Sequence, residues 1–228
     1  MNEVWDFWES AAGEPALNMA IDEALLETAT ERGNPILRFY GWSMPSATFG
    51  YSQSYERVAA LTLLRPLIRR PTGGGLVPHN SDWTYSVVFP PRHSWYALKA
   101  TASYERVHGW IKASFGKLDI TTELAMAPVA DAPGQCFIGA EKSDVLWHGR
   151  KIAGAAQRRT RCGLLIQGSV QPPPLPLDPA EWRQAMLKVA VENWNVRWRA
   201  SKMSEDFAAF ADQIALQKYR KIDFNQKR

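Results

Sequence analysis

Two reactive side chains stand fifteen residues apart in the second half of the chain: Cys136, in Gly-Gln-Cys-Phe, and Lys151, in Gly-Arg-Lys-Ile-Ala-Gly. An ionised thiol is a nucleophile, and an ammonium group beside it favours the thiolate and stabilises developing negative charge. Residue types alone leave both readings open, because a single cysteine is as often a small buried apolar side chain and a lysine beside a turn is ordinarily exposed. Other chemistries find less support. The four histidines (His79, His93, His108, His148) and two cysteines form neither a CxxC nor an HExxH pair, so no metal is expected. No GxSxG elbow is present for a serine hydrolase.

A second stretch, residues 69–79, reads RRPTGGGLVPH. Gly73, Gly74 and Gly75 let a ligand approach the backbone closely, and Arg69 and Arg70 are cations able to fork onto a phosphate or carboxylate. The loop is not a P-loop, since no Gly-Lys-Ser/Thr follows, and it lacks the GxGxxG spacing of a dinucleotide fold.

The elements that must position these residues follow from periodicity. Leu17, Ile21, Ala24 and Leu25 repeat as one helical face over Pro15 to Thr28, with Asp22 and Glu23 expected to be solvated or paired structurally. Ile36 to Tyr40 and Ser46 to Gly50 predict two strands around a turn at Trp42 to Pro45, and Trp83 to Phe89 a central strand after the glycine loop. Tyr104, Val107, Ile111 and Phe115 share a face of a second helix, on which His108 reads as a packing or surface residue. Ala125 to Gly139 has no helical period and reads as an irregular loop carrying Cys136. Short strands are predicted at Val145 to Trp147, Lys151 to Ala153 and Leu164 to Val170. Pro172 to Pro176 forms a stiff connector, followed by helices through Trp182, Met186, Val189 and Trp194 and through Phe207, Phe210 and Ile214.

Composition sets outer bounds. With 228 residues, 46% of them hydrophobic, the chain has enough apolar material for one large domain with a small appendage. No apolar run reaches the roughly 20 residues of a membrane span, and no cationic leader precedes one, so a cytoplasmic protein with free thiols is expected. The net charge of +4 suits an acidic protein partner, and no nucleic-acid module accompanies the basic clusters.

Four blocks in order, NMAIDEALLE, LRFYGWSMPSATFGYSQ, RRPTGGGLVPH with TYSVV, and SDVLWHGRKIAGAAQRR, resemble the biotin/lipoate protein ligase and octanoyltransferase superfamily. The resemblance covers roughly Val4 to Val170 and implies an α/β (α+β) fold with a mixed, largely antiparallel sheet flanked by helices. It places the catalytic domain at residues 1–171 and a connector with a helical C-terminal extension at 172–228. In the cysteine-dependent octanoyltransferases of this scaffold a cysteine ahead of the K-I-A-G block forms an acyl thioester. Cys136 matches that position, Cys162 has no such counterpart, and Lys151 matches the active-site lysine.

The resemblance further implies that Gln53, Arg70, Gly73, Gly74, Gly75, His79 and Gly154 bind substrate. The implied reaction moves an octanoyl group from octanoyl-acyl carrier protein to a lysine of a lipoyl domain or glycine-cleavage carrier, with no cofactor. The alternatives are an ATP- and magnesium-dependent lipoate or octanoate ligase acting through an acyl-adenylate, and a non-catalytic acyl-carrier-binding protein. Two departures from the family pattern stand out: Pro78 before His79, where a bulkier apolar residue is common, and Gln167 before Gly168, where many relatives have histidine.

Overall fold

The structure is a computed structural model that describes residues 3–128 and 139–227. Strand β1 (Glu3–Glu9) leads into helix α1 (Pro15–Glu27) and the single turn α2 (Ala29–Arg32). Then come β2 (Ile36–Tyr40), β3 (Ser46–Phe49), α3 (Tyr55–Leu61), β4 (Leu67–Arg69), β5 (Val77–His79) and β6 (Trp83–Phe89). The next stretch holds α4 (Ser94–Ala97), α5 (Ala100–Gly116), β7 (Glu123–Leu124), β8 (Val145–Trp147), β9 (Arg150–Thr160) and β10 (Gly163–Val170). The chain continues through α6 (Pro179–Trp194), β11 (Val196–Ala200), α7 (Glu205–Ile214), a π-helical turn at Ala215–Tyr219, and α8 (Ile222–Gln226). No described helix is long and apolar enough to cross a membrane.

Eight strands form one sheet in the order β11-β1-β2-β6-β10-β9-β8-β7. The β11–β1 and β1–β2 joins are parallel and the remaining ones antiparallel, so the sheet is mixed and largely antiparallel, as the resemblance implied. Both of its faces are covered. Along β10, Leu164 and Ile166 point into a core with Val107, Trp110, Ile111 and Phe115 of α5, while Leu165 points into one with Ile21 and Leu25 of α1. Strands buried on two sides read as continuous apolar runs, which explains SVVF in β6 and LLI in β10.

The two strands predicted around Trp42 to Pro45 form, but they do not pair with each other. β2 lies in the large sheet, whereas β3 joins β4 and β5 in a separate three-stranded sheet. Trp42, in the intervening turn, is held by its indole N–H donating to Thr84 Oγ1 at 2.8 Å, so the chain crosses from one sheet to the other there. Strand β9 is also longer than the predicted Lys151 to Ala153, because all of its residues from Ala153 to Thr160 pair with β10. After residue 171 the sequence period predicted only helices, yet β11 lies between α6 and α7 and pairs with β1. Trp194 stacks on Trp5 at 5.9 Å and Trp198 meets it edge-on at 5.7 Å, so this part of the chain shares the aromatic core. Asp178 caps α6 by accepting from Ala180 N at 2.7 Å, and Asn195 ends it in the left-handed conformation.

Candidate active site

The glycine loop joins β4 to β5, and its two arginines part company. The Arg69 backbone N–H donates to Asn225 Oδ1 at 2.8 Å, and its side chain donates to the carbonyls of Phe224, Asn225, Tyr51 and Gln53 at 2.7 to 3.2 Å. This fully buried cation therefore ties the loop to α8 and to the 51–53 turn, and is not the anion fork its sequence context suggested. Arg70 turns the other way. Its Nε donates to Gly73 O at 3.0 Å and its guanidinium reaches Thr48 Oγ1 at 3.4 Å, which closes the loop around its own side chain. Gly74 takes a positive φ of 85°, and an added Cβ would lie 2.8 Å from the Arg70 guanidinium.

Between this loop and the β9–β10 ladder lies a narrow cavity of about 30 Å³. Arg70 and His79 line it on one side, Gly154 to Ala156 and Gln167 on another, and Met19 and Trp42 close it. His79 is fixed on three sides: Nε2 bonds Thr48 Oγ1 at 2.8 Å, Nδ1 bonds Asp82 Oδ2 at 2.9 Å, and the ring stacks on Trp42 at 3.8 Å. Gln167 accepts from Thr72 Oγ1 at 2.8 Å and donates to Asp22 Oδ2 at 2.8 Å. A wider groove of about 570 Å³ opens beside the cavity, sharing Ala155 and Ala156 with it and bounded by Gly73, Gly74, Tyr104 and Glu141. Gln53 and Gly75 line neither space; the Gln53 side chain accepts from Gly50 N at 3.1 Å.

An irregularity in its strand turns Lys151 toward Gly154, a residue of the cavity wall, although the lysine itself lines neither space. The β8–β9 register slips between the Val145–Ala153 and Leu146–Lys151 pairs, leaving Ile152 extra, and a bulge of this kind re-aims a side chain. The lysine then curls over Gly154, where a Cβ would lie 2.7 Å from Lys151 Cε and 2.9 Å from Nζ. A side chain at this position would make the lysine tip shift. The ammonium pairs with Asp144 Oδ2 at 2.7 Å, the lysine side chain 5% exposed and the aspartate fully buried. Cys136 lies outside the described residues. Cys162 is free and half-buried.

Below Lys151, α5 contributes groups that the sequence pattern passed over. Tyr104 Oη donates to Asp144 Oδ1, and the His108 ring packs on Tyr104 with centroids 4.1 Å apart. Burial pushes the His108 pKa down to about 4, against a smaller upward pull from Asp144. The unfolded chain takes up that proton near pH 6.5, so this contribution to stability is complete above pH 6.5 and is lost as the pH falls toward 4. The loss amounts to about 3 kcal/mol at most. Urea unfolding at pH 7.5 and pH 4.5 should reveal it as a steeper acid loss in wild type than in His108→Gln; equal losses would remove His108 as the cause.

A family model described as the lipoyl protein ligase A/B catalytic domain matches residues 14–172. The chain belongs to this family. Octanoyltransferase LipM from Geobacillus kaustophilus is 34% identical over 181 residues, and LipM from Bacillus subtilis is 31% identical; each alignment covers 74% of this chain and 65% of the relative. The chain thus spans about two thirds of the length of the curated relatives it matches. Among solved structures, lipoate-protein ligase A bound with ATP superposes with a TM-score of 0.79 at 21% identity, covering 99% of both chains. Protein Ta0514 of T. acidophilum with bound lipoic acid does so at 0.81 and 21%, covering both chains completely. At that identity the two structures speak for the fold, and this chain has the lipoate-ligase fold.

Proposed function

We propose that the protein is an octanoyltransferase that moves an octanoyl group from octanoyl-acyl carrier protein, through a thioester on Cys136, to a lysine of a lipoyl-domain or glycine-cleavage carrier. What supports this reading is the Lys151 ammonium lying against Gly154, a residue of the cavity wall, in a family whose curated relatives at 31–34% identity are octanoyltransferases. The Cys136 thiolate attacks the donor carbonyl carbon. A new C–S bond forms, the carrier's C–S bond breaks, and the carrier thiolate leaves and takes a proton. The neutral amine of the acceptor lysine then attacks the enzyme thioester, giving an amide and returning the thiol. Each acyl bond broken supplies the next, so no ATP is consumed.

Lys151 serves the carbonyl oxygen as negative charge develops on it. The acyl chain lies against Met19, Trp42 and Val77, and the flexible Met19 side chain is suited to widening the narrow cavity on binding. Arg70 and His79 fix the glycine-loop side of the same wall.

The test supplies a lipoyl domain with octanoyl-acyl carrier protein, or with free octanoate, each with and without ATP and magnesium. Transfer from the carrier alone is the expected result. Modification only with free acid, ATP and magnesium would replace this reading with the ligase; binding of the acyl carrier without transfer would leave a binding protein. In the same assay Lys151→Met should slow enzyme acylation about 100-fold, the effect of removing an oxyanion donor. That variant leaves the buried Asp144 carboxylate without its cation, so Lys151→Met combined with Asp144→Asn, which removes both charges, is measured beside it, with circular dichroism as the check that each is folded. Acylation at the wild-type rate would return Lys151 to an ordinary buried ion pair.

A further inference from the structure

We infer that Asp144, clamped by Tyr104, is the positioning residue that holds the Lys151 ammonium against Gly154 of the cavity wall. Both carboxylate oxygens are engaged: Oδ1 accepts from Tyr104 Oη, and Oδ2 accepts from Lys151 Nζ at 2.7 Å and from Glu141 N at 2.6 Å. A carboxylate with three donors and no solvent exposure has one available orientation, so it fixes the lysine head in turn. Gly154 leaves room for the same end of the side chain, since a Cβ there would lie 2.7 Å from Lys151 Cε and 2.9 Å from Nζ. Asp144 thus holds the ammonium in a space that Gly154 keeps open.

The groups packed around the pair fit this role. From α5, His108 donates Nδ1–H to Tyr104 O at 2.9 Å, and its Nε2 is buried without a partner, so the neutral ring adds no competing charge. From β6, the buried Tyr85 hydroxyl is likewise held neutral, its pKa raised first by burial and then by Asp144. Asp144 is thus a carboxylate in direct ion pair with Lys151. Its charge offsets part of the cost of burying the lysine head.

The consequence for acyl transfer rests on the function proposed above, so the test separates the two. A pulse of amine-selective acetylating reagent on the full-length protein at pH 8 reports Lys151 by peptide mass spectrometry, with the exposed Lys202 as internal reference. Wild-type Lys151 should label slowly. Asp144→Asn, nearly the same shape, should label about tenfold faster or more, because the lysine head loses the ion pair that holds it in place. Asp144→Glu keeps the charge and should stay close to wild type, while Tyr104→Phe should fall between. Equal labelling in wild type and Asp144→Asn would overturn the inference, as would equal labelling in Asp144→Asn and Asp144→Glu, which would indicate loosened packing alone. Fast labelling with undiminished acyl transfer in Asp144→Asn would support the positioning and overturn the catalytic reading of Lys151.

Discussion

Cys136→Ser should abolish the octanoyl adduct on the enzyme and, with it, octanoylation of the carrier, while Cys162→Ser leaves both at wild-type levels. The argument is chemical. A serine hydroxyl at neutral pH is a far weaker nucleophile than a thiolate unless a general base activates it. Among the described residues, Lys151 is ion-paired with Asp144, and His79 is enclosed by Thr48, Asp82 and Trp42, so neither is set up as that base. Cys162 sits in the turn between β9 and β10, its backbone N–H donating to Thr160 Oγ1 at 3.1 Å. That turn is at the far end of the ladder from Gly154, which pairs with Ser169. Intact-protein mass spectrometry after mixing with octanoyl-acyl carrier protein reads the adduct directly. Any acylation that persists in Cys136→Ser would sink the thioester assignment, and loss of acylation in Cys162→Ser would move it to the other thiol.

How far the sequence leads depends on whether a residue's partners are local. Helix α1 was legible because Leu17, Ile21, Ala24 and Leu25 declare one face, and β6 and β10 because both read as apolar runs. Strand β9 was not. Beyond Ala153 it reads GAAQRRT, a composition with weak strand preference and a charge cluster, and its pairing along β10 overrides that preference. β11 carries alternating Val196, Trp198 and Ala200, yet its partner is β1, so a single short window could not announce it. The twin arginines make the same point at the site. Arg69 and Arg70 are indistinguishable in sequence, and only the contact with Asn225, 156 positions away, assigns the first to α8 and leaves the second to the cavity. Lys151 was marked by its block and by family resemblance, whereas Tyr104 was read as part of an apolar helical face. Its bond to Asp144, forty residues on, required the fold.

Arg38→Met should lower the unfolding free energy by about 3–5 kcal/mol, the loss found when one partner of a buried ion pair is removed. Arg38 and Asp22 are 1% and 0% exposed and pair at 2.8 Å. The guanidinium also donates to Asn18 Oδ1 at 2.7 Å and lies over the Tyr40 ring at 4.0 Å. Without it, Asp22 keeps donors from Tyr40, Ser86 and Gln167 but remains a buried charge with no cation paired to it among the described residues. Against a typical total of about 5–15 kcal/mol, such a loss leaves many domains partly unfolded at 37 °C. Arg38→Lys should recover little, because an ammonium cannot fork onto Asp22 and Asn18 together. The effect should extend to the site, since Gln167 is held by Asp22 on one side and Thr72 on the other. Asp22→Leu combined with Arg38→Met removes both charges and should destabilise by less than the sum of the single changes. Urea titrations of the four variants test this directly. A loss below about 1 kcal/mol in Arg38→Met, near the ordinary level for a point change, would mean that the neutral donors alone satisfy Asp22 and that the ion pair does not hold α1 to the sheet.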